Sequence, residues 1–128
     1  MSSWRTSFEK IYSDLELAKR KKQALDELLA KNRMSQPTYA HLVDNLNENI
    51  SELESHKKTL LHKMSDRVDE LKAQAELLKL FLVSLEMQNI AKEVKQETYV
   101  KNKQILEVGL EATEKELAEI NSALARFS

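Results

Sequence analysis

Residues 33–42 read RMSQPTYAHL, and residues 93–102 read EVKQETYVKN. Both segments contain the frame apolar-x-Gln-x-Thr-Tyr, which therefore recurs at an offset of sixty residues. The first segment holds the single proline of the 128-residue chain, which also has a single glycine. Because sheets and loops need many turn residues, this composition predicts a few long helices with breaks at these two segments.

The first of these segments has the residues that end one helix and begin another. Asn32 tolerates the left-handed conformation that closes a helix, and the hydroxyl of Ser35 can accept a bond from the free amides of the next helix. Pro37 falls in the first turn of that helix, where a missing N–H is harmless. Tyr39, and Tyr99 after the second turn, resemble the inner residue of a hydrophobic staple that fixes the entry of the chain.

The second turn, near residues 91–95, lacks good capping residues and is predicted chiefly because the repeat places it there. Turns this short require the helices that they connect to lie antiparallel and side by side.

Apolar residues recur at alternating steps of three and four, as they do in coiled coils. We call the row of side chains that they form along one face of each helix the seam. The seam positions are Trp4, Phe8, Ile11, Leu15, Ala18, Lys22, Leu25 and Leu29; then Tyr39, Val43, Leu46, Ile50, Leu53, Lys57, Leu60, Met64, Val68, Leu71, Ala75, Leu78, Leu82 and Leu85; then Tyr99, Lys103, Leu106, Leu110, Thr113, Leu117, Ile120, Leu124 and Phe127. They predict helices at about 4–31, 36–91 and 96–127.

The chain is accordingly predicted to be all-α and to form one elongated antiparallel coiled-coil domain over residues 1–128. One long central helix has a shorter helix folded back on each half, so that Leu15 faces Leu53 and Leu110 faces Leu78. The seam of the central helix shifts to a neighbouring face at Met64. A break of this helix at Ser65–Asp66 is the main alternative.

Composition and charge argue against several classes of function. With 20 Lys and Arg against 21 Asp and Glu, the net charge of −1 creates no field that would attract nucleic acid or an anionic membrane. The absence of cysteine excludes disulfides and thiolate metal sites. The N-terminus shows no signal peptide, and the run LLKLFLVSL at 77–85 is too short to span a bilayer, so a cytoplasmic protein is predicted.

No residue pattern indicates catalysis or cofactor binding. The histidines at 41, 56 and 62 have too few neighbouring ligands for a metal site. There is no Gly-rich phosphate loop, and a helical coiled coil offers no natural deep pocket. The basic run Lys19–Lys22 is interpreted as a solvated face. The protein is therefore predicted not to be an enzyme, with no catalytic, cofactor-binding or metal-binding residues.

An apolar surplus outside the seams predicts a protein interface. Two packed helices cannot cover these side chains, and exposed apolar rows of this kind usually mark a partner surface. The set comprises Leu77, Leu80, Val83 and Met87 on the central helix and Val100, Ile105 and Val108 on the third. A homodimer with a four-helix cross-section would bury them, and a helix from another protein in the same groove is the competing interpretation.

The segments LDELLAKNRMSQPTYAHL, at 25–42, and LEMQNIAKEVKQETYVKNKQILEVGLEATEKELAEI, at 85–120, resemble the coiled-coil part of the archaeal CdvA-like cell-division family. The similarity lies in a charged helix, a turn, a helix start with Thr-Tyr, and heptads of Leu, Glu and Lys. The chain departs from that family in having no β-rich N-terminal barrel and no Pro-containing C-terminal tail of the kind that recruits an ESCRT-III-like partner. It therefore resembles a shortened relative or an isolated coiled-coil segment. Filament building and peripheral membrane association are implied by this resemblance alone.

The first functional hypothesis is a self-associating scaffold, a homodimer linked to archaeal cell division or membrane remodelling. The alternative is a small helical adaptor, unrelated to division, whose apolar groove takes a partner helix.

Overall fold

The computed structural model describes residues 4–127, which form three α-helices: α1 (Trp4–Ala30), α2 (Gln36–Ile90) and α3 (Gln96–Arg126). These described residues contain no strand, so the predicted all-α order of helix, turn, helix, turn and helix is confirmed. Helix α2 is continuous through Ser65 and Asp66, and the alternative with a break at that point is wrong. Within residues 4–127, no helix is long and apolar enough to cross a membrane.

The chain divides into two compact units, which we call the first unit (Met1–Lys63) and the second unit (Met64–Ser128). The boundary falls inside α2, so each unit consists of one turn and the two helical segments on either side of it. The prediction of a single domain over 1–128 stays a prediction.

The first unit buries the seam residues of α1 against those of the first half of α2. All of its large buried side chains occupy seam positions, as expected for an antiparallel helical hairpin. They are Trp4, Phe8, Leu15, Ala18, Leu46, Leu53 and Leu60.

The second unit buries the equivalent seam of the second half of α2 and α3. Its core residues at seam positions are Met64, Val68, Leu71, Ala75, Leu85, Tyr99, Thr113 and Ile120. Ala123, which was not predicted to lie in the seam, is also buried, whereas its seam neighbour Leu124 is partly exposed. A Cβ added at Gly109 would lie 3.7 Å from Cδ1 of Leu78, which places the middle of α3 beside that residue. The predicted antiparallel pairing of α3 with the second half of α2 agrees with this contact.

Polar contacts also hold α3 in place in the second unit. Gln74 Nε2 donates to the buried Thr113 Oγ1 at 2.6 Å, and that hydroxyl donates to the carbonyl of Gly109 at 2.8 Å. Arg67 forms a two-point salt bridge with Glu116, with N–O distances of 2.8 and 3.1 Å. Of these groups, Thr113 is buried at a seam position, and such a group restricts the register because any shift would leave it without its partner.

Both turns have the same backbone geometry. Asn32 and Lys92 adopt left-handed conformations, with φ of 57° and 60°. Arg33 N donates to Leu28 O in the first turn and Glu93 N donates to Gln88 O in the second, each at 2.9 Å. Together with a shorter-range backbone bond from each left-handed residue, these bonds form a Schellman motif at the C-terminus of α1 and again at that of α2.

Candidate protein interaction surface

Side chains cap the start of α2 but not the start of α3. Ser35 Oγ accepts a bond from the backbone N of Thr38 at 3.3 Å and donates to its hydroxyl at 2.9 Å. Pro37 is the second residue of α2, within its first turn. Lys95 occupies the N-cap position of α3 and forms no side-chain capping bond. The first turn is therefore stabilised by a cap that the second turn lacks.

A tyrosine joins the two helical segments of each unit next to the turn. Tyr39 Oη donates to Asp26 Oδ1 at 2.6 Å, and Tyr99 Oη donates to Glu86 Oε1. In both pairs the hydrogen bond to the carboxylate is the largest cause that raises the pKa of the tyrosine above its ordinary value. The sequence predicted apolar packing of these tyrosines and missed the hydrogen bonds. The available signal for these bonds was that Asp26 and Glu86, like the two tyrosines, lie sixty residues apart and are both acidic.

Lys103 joins the pair in the second unit. Its Nζ lies 3.5 Å from Glu86 Oε1 and 5.6 Å from the centre of the Tyr99 ring. Its contact with Tyr99 is the largest cause that raises the pKa of Lys103, and the negative charge of Glu86 adds to that effect. Lys103 thus occupies a seam position and forms an ion pair with Glu86 at the edge of the core.

The seven side chains predicted to form an interface are all exposed in the second unit. Their exposed fractions range from 50% for Leu77 to 67% for Val83. The remaining five are Leu80, Met87, Val100, Ile105 and Val108. Their role as an interface stays a prediction.

Two further residues extend this apolar surface. Phe81 is 47% exposed and Ile90 is 79% exposed. The sequence reasoning missed both, because it treated Phe81 as facing Leu106 and assigned Ile90 no role. Phe81 lies four residues after Leu77 and Ile90 lies three residues after Met87, which was a usable signal, since residues three or four apart share a helix face. We call all nine residues the apolar surface of the second unit.

A groove between α2 and α3 forms part of this surface. Phe81 and Ile105 line it from opposite helices, together with the seam residues Leu85 and Leu106. Ser84, Gln88 and Asn102 complete its lining. The groove is thus lined by both apolar and polar side chains, a combination typical of protein-binding surfaces.

The first unit provides an internal comparison, because the positions sixty residues earlier occupy the same places in a hairpin with the same turn. Leu80 corresponds to Arg20, Ile105 to Asn45, and Val108 to Glu48. The remaining pairs are Leu77 with Leu17, Phe81 with Lys21, Val83 with Gln23, Met87 with Glu27, Ile90 with Ala30 and Val100 with Ala40. A hairpin of this kind therefore forms without large apolar residues at most of these places. The apolar surface of the second unit is thus not needed to fold its hairpin.

The titratable side chains of residues 4–127 offer no competing site. In that part of the chain, no group of three or more His, Asp and Glu side chains is arranged to hold a metal ion. The groups with perturbed pKa values are Tyr39, Tyr99 and Lys103, which form contacts next to a turn, and Arg67, which is bonded to Glu116 of α3 and Glu70 of α2. The apolar surface of the second unit is consequently the candidate functional site.

Comparison with known proteins identifies relatives of the chain. Residues 3–128 match the CdvA-like coiled-coil domain. The chain is 19% identical over 127 residues to "Cell division protein A" of Sulfolobus acidocaldarius. That alignment covers 99% of this chain and 53% of the relative, so the chain spans about half the length of the curated relative that it matches. No solved structure matches the chain.

Proposed function

Because the chain belongs to the CdvA-like coiled-coil family, we propose that it is a non-enzymatic scaffolding protein that self-associates and acts in archaeal cell division or membrane remodelling. The link to division is supported by the similarity to the Sulfolobus cell division protein, of which about half is aligned. Self-association is supported by the apolar surface of the second unit, which is the single observation on which this part of the proposal depends.

The size of the apolar surface favours a stable partner. Nine large apolar side chains, each about half exposed or more, present on the order of 900 Å² of apolar area, close to the ~800 Å² that each partner buries in a standard interface. Monomeric proteins rarely leave large apolar patches in water, and Leu77, Leu80 and Met87 form such a patch along one face of α2. A second copy with the same surface would bury both patches at once.

Sedimentation equilibrium tests the proposal. We expect a dimer that persists at high salt, because burial of apolar area is not screened by ions. Substituting Leu80→Glu and Ile105→Glu together should convert the dimer to a monomer, because each new carboxylate would lose its hydration in the interface.

The first unit supplies a matched control. Arg20→Glu and Asn45→Glu place the same two carboxylates at the equivalent exposed positions of the first unit, and this variant should remain a dimer. Circular dichroism should show unchanged helicity in both variants. A dimer that survives the changes at Leu80 and Ile105 would mean that the interface lies elsewhere.

The open groove lined by Phe81 and Ile105 favours a second candidate, an adaptor that binds a helix of another protein. A wild-type chain that sediments as a monomer at all accessible concentrations would reject the self-associating scaffold and favour the adaptor.

A further inference from the structure

Helix α2 has a second heptad stripe on the side opposite its core. The core stripe of the second unit includes Leu71, Ala75, Leu78, Leu82 and Leu85. The outer stripe has strict steps of four, three, four, three and four residues and no charged member, and it consists of Ala73, Leu77, Leu80, Ser84, Met87 and Ala91. All of these are exposed except Ser84, which is partly exposed. Ala91 directly follows the last residue of α2, and its N–H still donates to Met87 O at 2.9 Å. A helix with two apolar stripes is suited to contacts on both sides.

The first unit has no uncharged stripe at the equivalent place. The positions sixty residues earlier are Ser13, Leu17, Arg20, Ala24, Glu27 and Lys31, of which three are charged. Because α1 pairs within its own unit without such a stripe, the outer stripe is not needed to build the hairpin.

We propose that the outer stripe binds the outer stripe of a second copy in an antiparallel arrangement, with the two-fold axis at the level of Leu82. This inference rests on the proposed self-association and adds its site and direction. The steps of the outer stripe read the same in both directions. An axis at Leu82 therefore sets Ala73 against Ala91 of the other copy, Leu77 against Met87, and Leu80 against Ser84.

These pairs are complementary in size as well as spacing. Ala73 and Ala91 would allow close approach at the two ends of the contact, while Leu77 and Met87 fill the space between them. Leu80 projects where the other copy has the small Ser84, as a knob needs a hole in helix packing.

Charge favours the antiparallel direction over the parallel one. The segment 66–72, at the start of the stripe, has three acids and two bases, whereas 92–98, which the axis sets opposite it, has two bases and two acids. Arg67, one of the two bases, is bonded to Glu116 within the unit at 2.8 Å. Antiparallel copies bring the acidic end of one stripe to the neutral end of the other, and parallel copies would bring the two acidic ends together.

The natural absence of cysteine allows a direct test of direction. Two variants of the full chain, Ala73→Cys and Ala91→Cys, are oxidised separately and as a mixture in which one is tagged. In the antiparallel dimer these positions face each other only across copies. The mixture should thus form the tagged–untagged disulfide dimer, and each variant alone should stay uncrosslinked.

The matched control uses the equivalent positions of the first unit, Ser13→Cys and Lys31→Cys, which should not crosslink in any combination. Efficient crosslinking of Ala73→Cys with itself would overturn the antiparallel direction. A dimer by sedimentation with no crosslink in the mixture would overturn the outer stripe as the site while leaving the proposed self-association intact. A monomer by sedimentation would reject the self-association itself.

Discussion

At the scale of single residues, the two turns show how one backbone conformation is formed by different side chains. Asn32 suits the left-handed conformation at the first turn, while Lys92 adopts it at the second with a side chain that disfavours it. The Schellman bonds and the tyrosine–carboxylate contact are present in both units and offset this local cost.

Exchanging the two residues tests this cost. Lys92→Asn should stabilise the protein by roughly 1 kcal/mol, because Asn tolerates the left-handed region better than Lys. The reciprocal change Asn32→Lys should destabilise it by a similar amount. The midpoint of urea unfolding provides the measurement, and a lower midpoint for Lys92→Asn would show that the lysine side chain makes a compensating contact.

The tyrosine pairs predict a dependence of stability on alkaline pH. The pKa of Tyr39 and of Tyr99 is raised in the folded chain, so the stability that these bonds provide is present below the ordinary pKa of about 10 and is lost as pH rises through the folded value. Asp26→Asn and Glu86→Gln should each lower the pKa of the adjacent tyrosine. Near-ultraviolet titration of tyrosinate measures the tyrosine pKa, and Asp44→Asn, which removes a carboxylate away from the tyrosines, serves as a control. Equal titration midpoints in the wild type and all three variants would contradict the hydrogen bonds assigned to Tyr39 and Tyr99.

At the scale of elements, α3 contains the one glycine of the chain at a place where a methyl group fits. A Cβ at Gly109 would make an ordinary van der Waals contact with Leu78 at 3.7 Å. Thr113, one turn later, already bonds to the Gly109 carbonyl, so the backbone there is held in its helical form.

Gly109→Ala should therefore stabilise the protein by about 1 kcal/mol, since Ala has the higher helix propensity and restricts the unfolded chain. Asn49→Ala, at the equivalent position of the first unit, should give a smaller gain because Asn is less unfavourable in helices than Gly. Thermal unfolding followed by circular dichroism compares the two. A loss of stability in Gly109→Ala would indicate that α3 and Leu78 lie closer than the contact allows.

At the scale of the whole molecule, the sequence predicted the helices well because heptad spacing and the two turns determine them together. The repeat was the decisive signal at the second turn, where Lys92 and Lys95 gave no local indication of a helix end. The exposure of the seven predicted interface residues could also be predicted, because none of them occupies a seam position. The tyrosine bonds and the Gln74–Thr113 pair could not be predicted from periodicity, because they depend on side-chain directions across two helices.

The continuity of α2 has a consequence for unfolding. Units joined by a loop can open one at a time, but here the boundary between Lys63 and Met64 lies within a helix, whose amides bond to carbonyls four residues earlier. Melting of either unit up to that boundary frays a helix that the other unit needs. The molecule thereby gains thermodynamic cooperativity from its backbone, as neighbouring units do in repeat proteins.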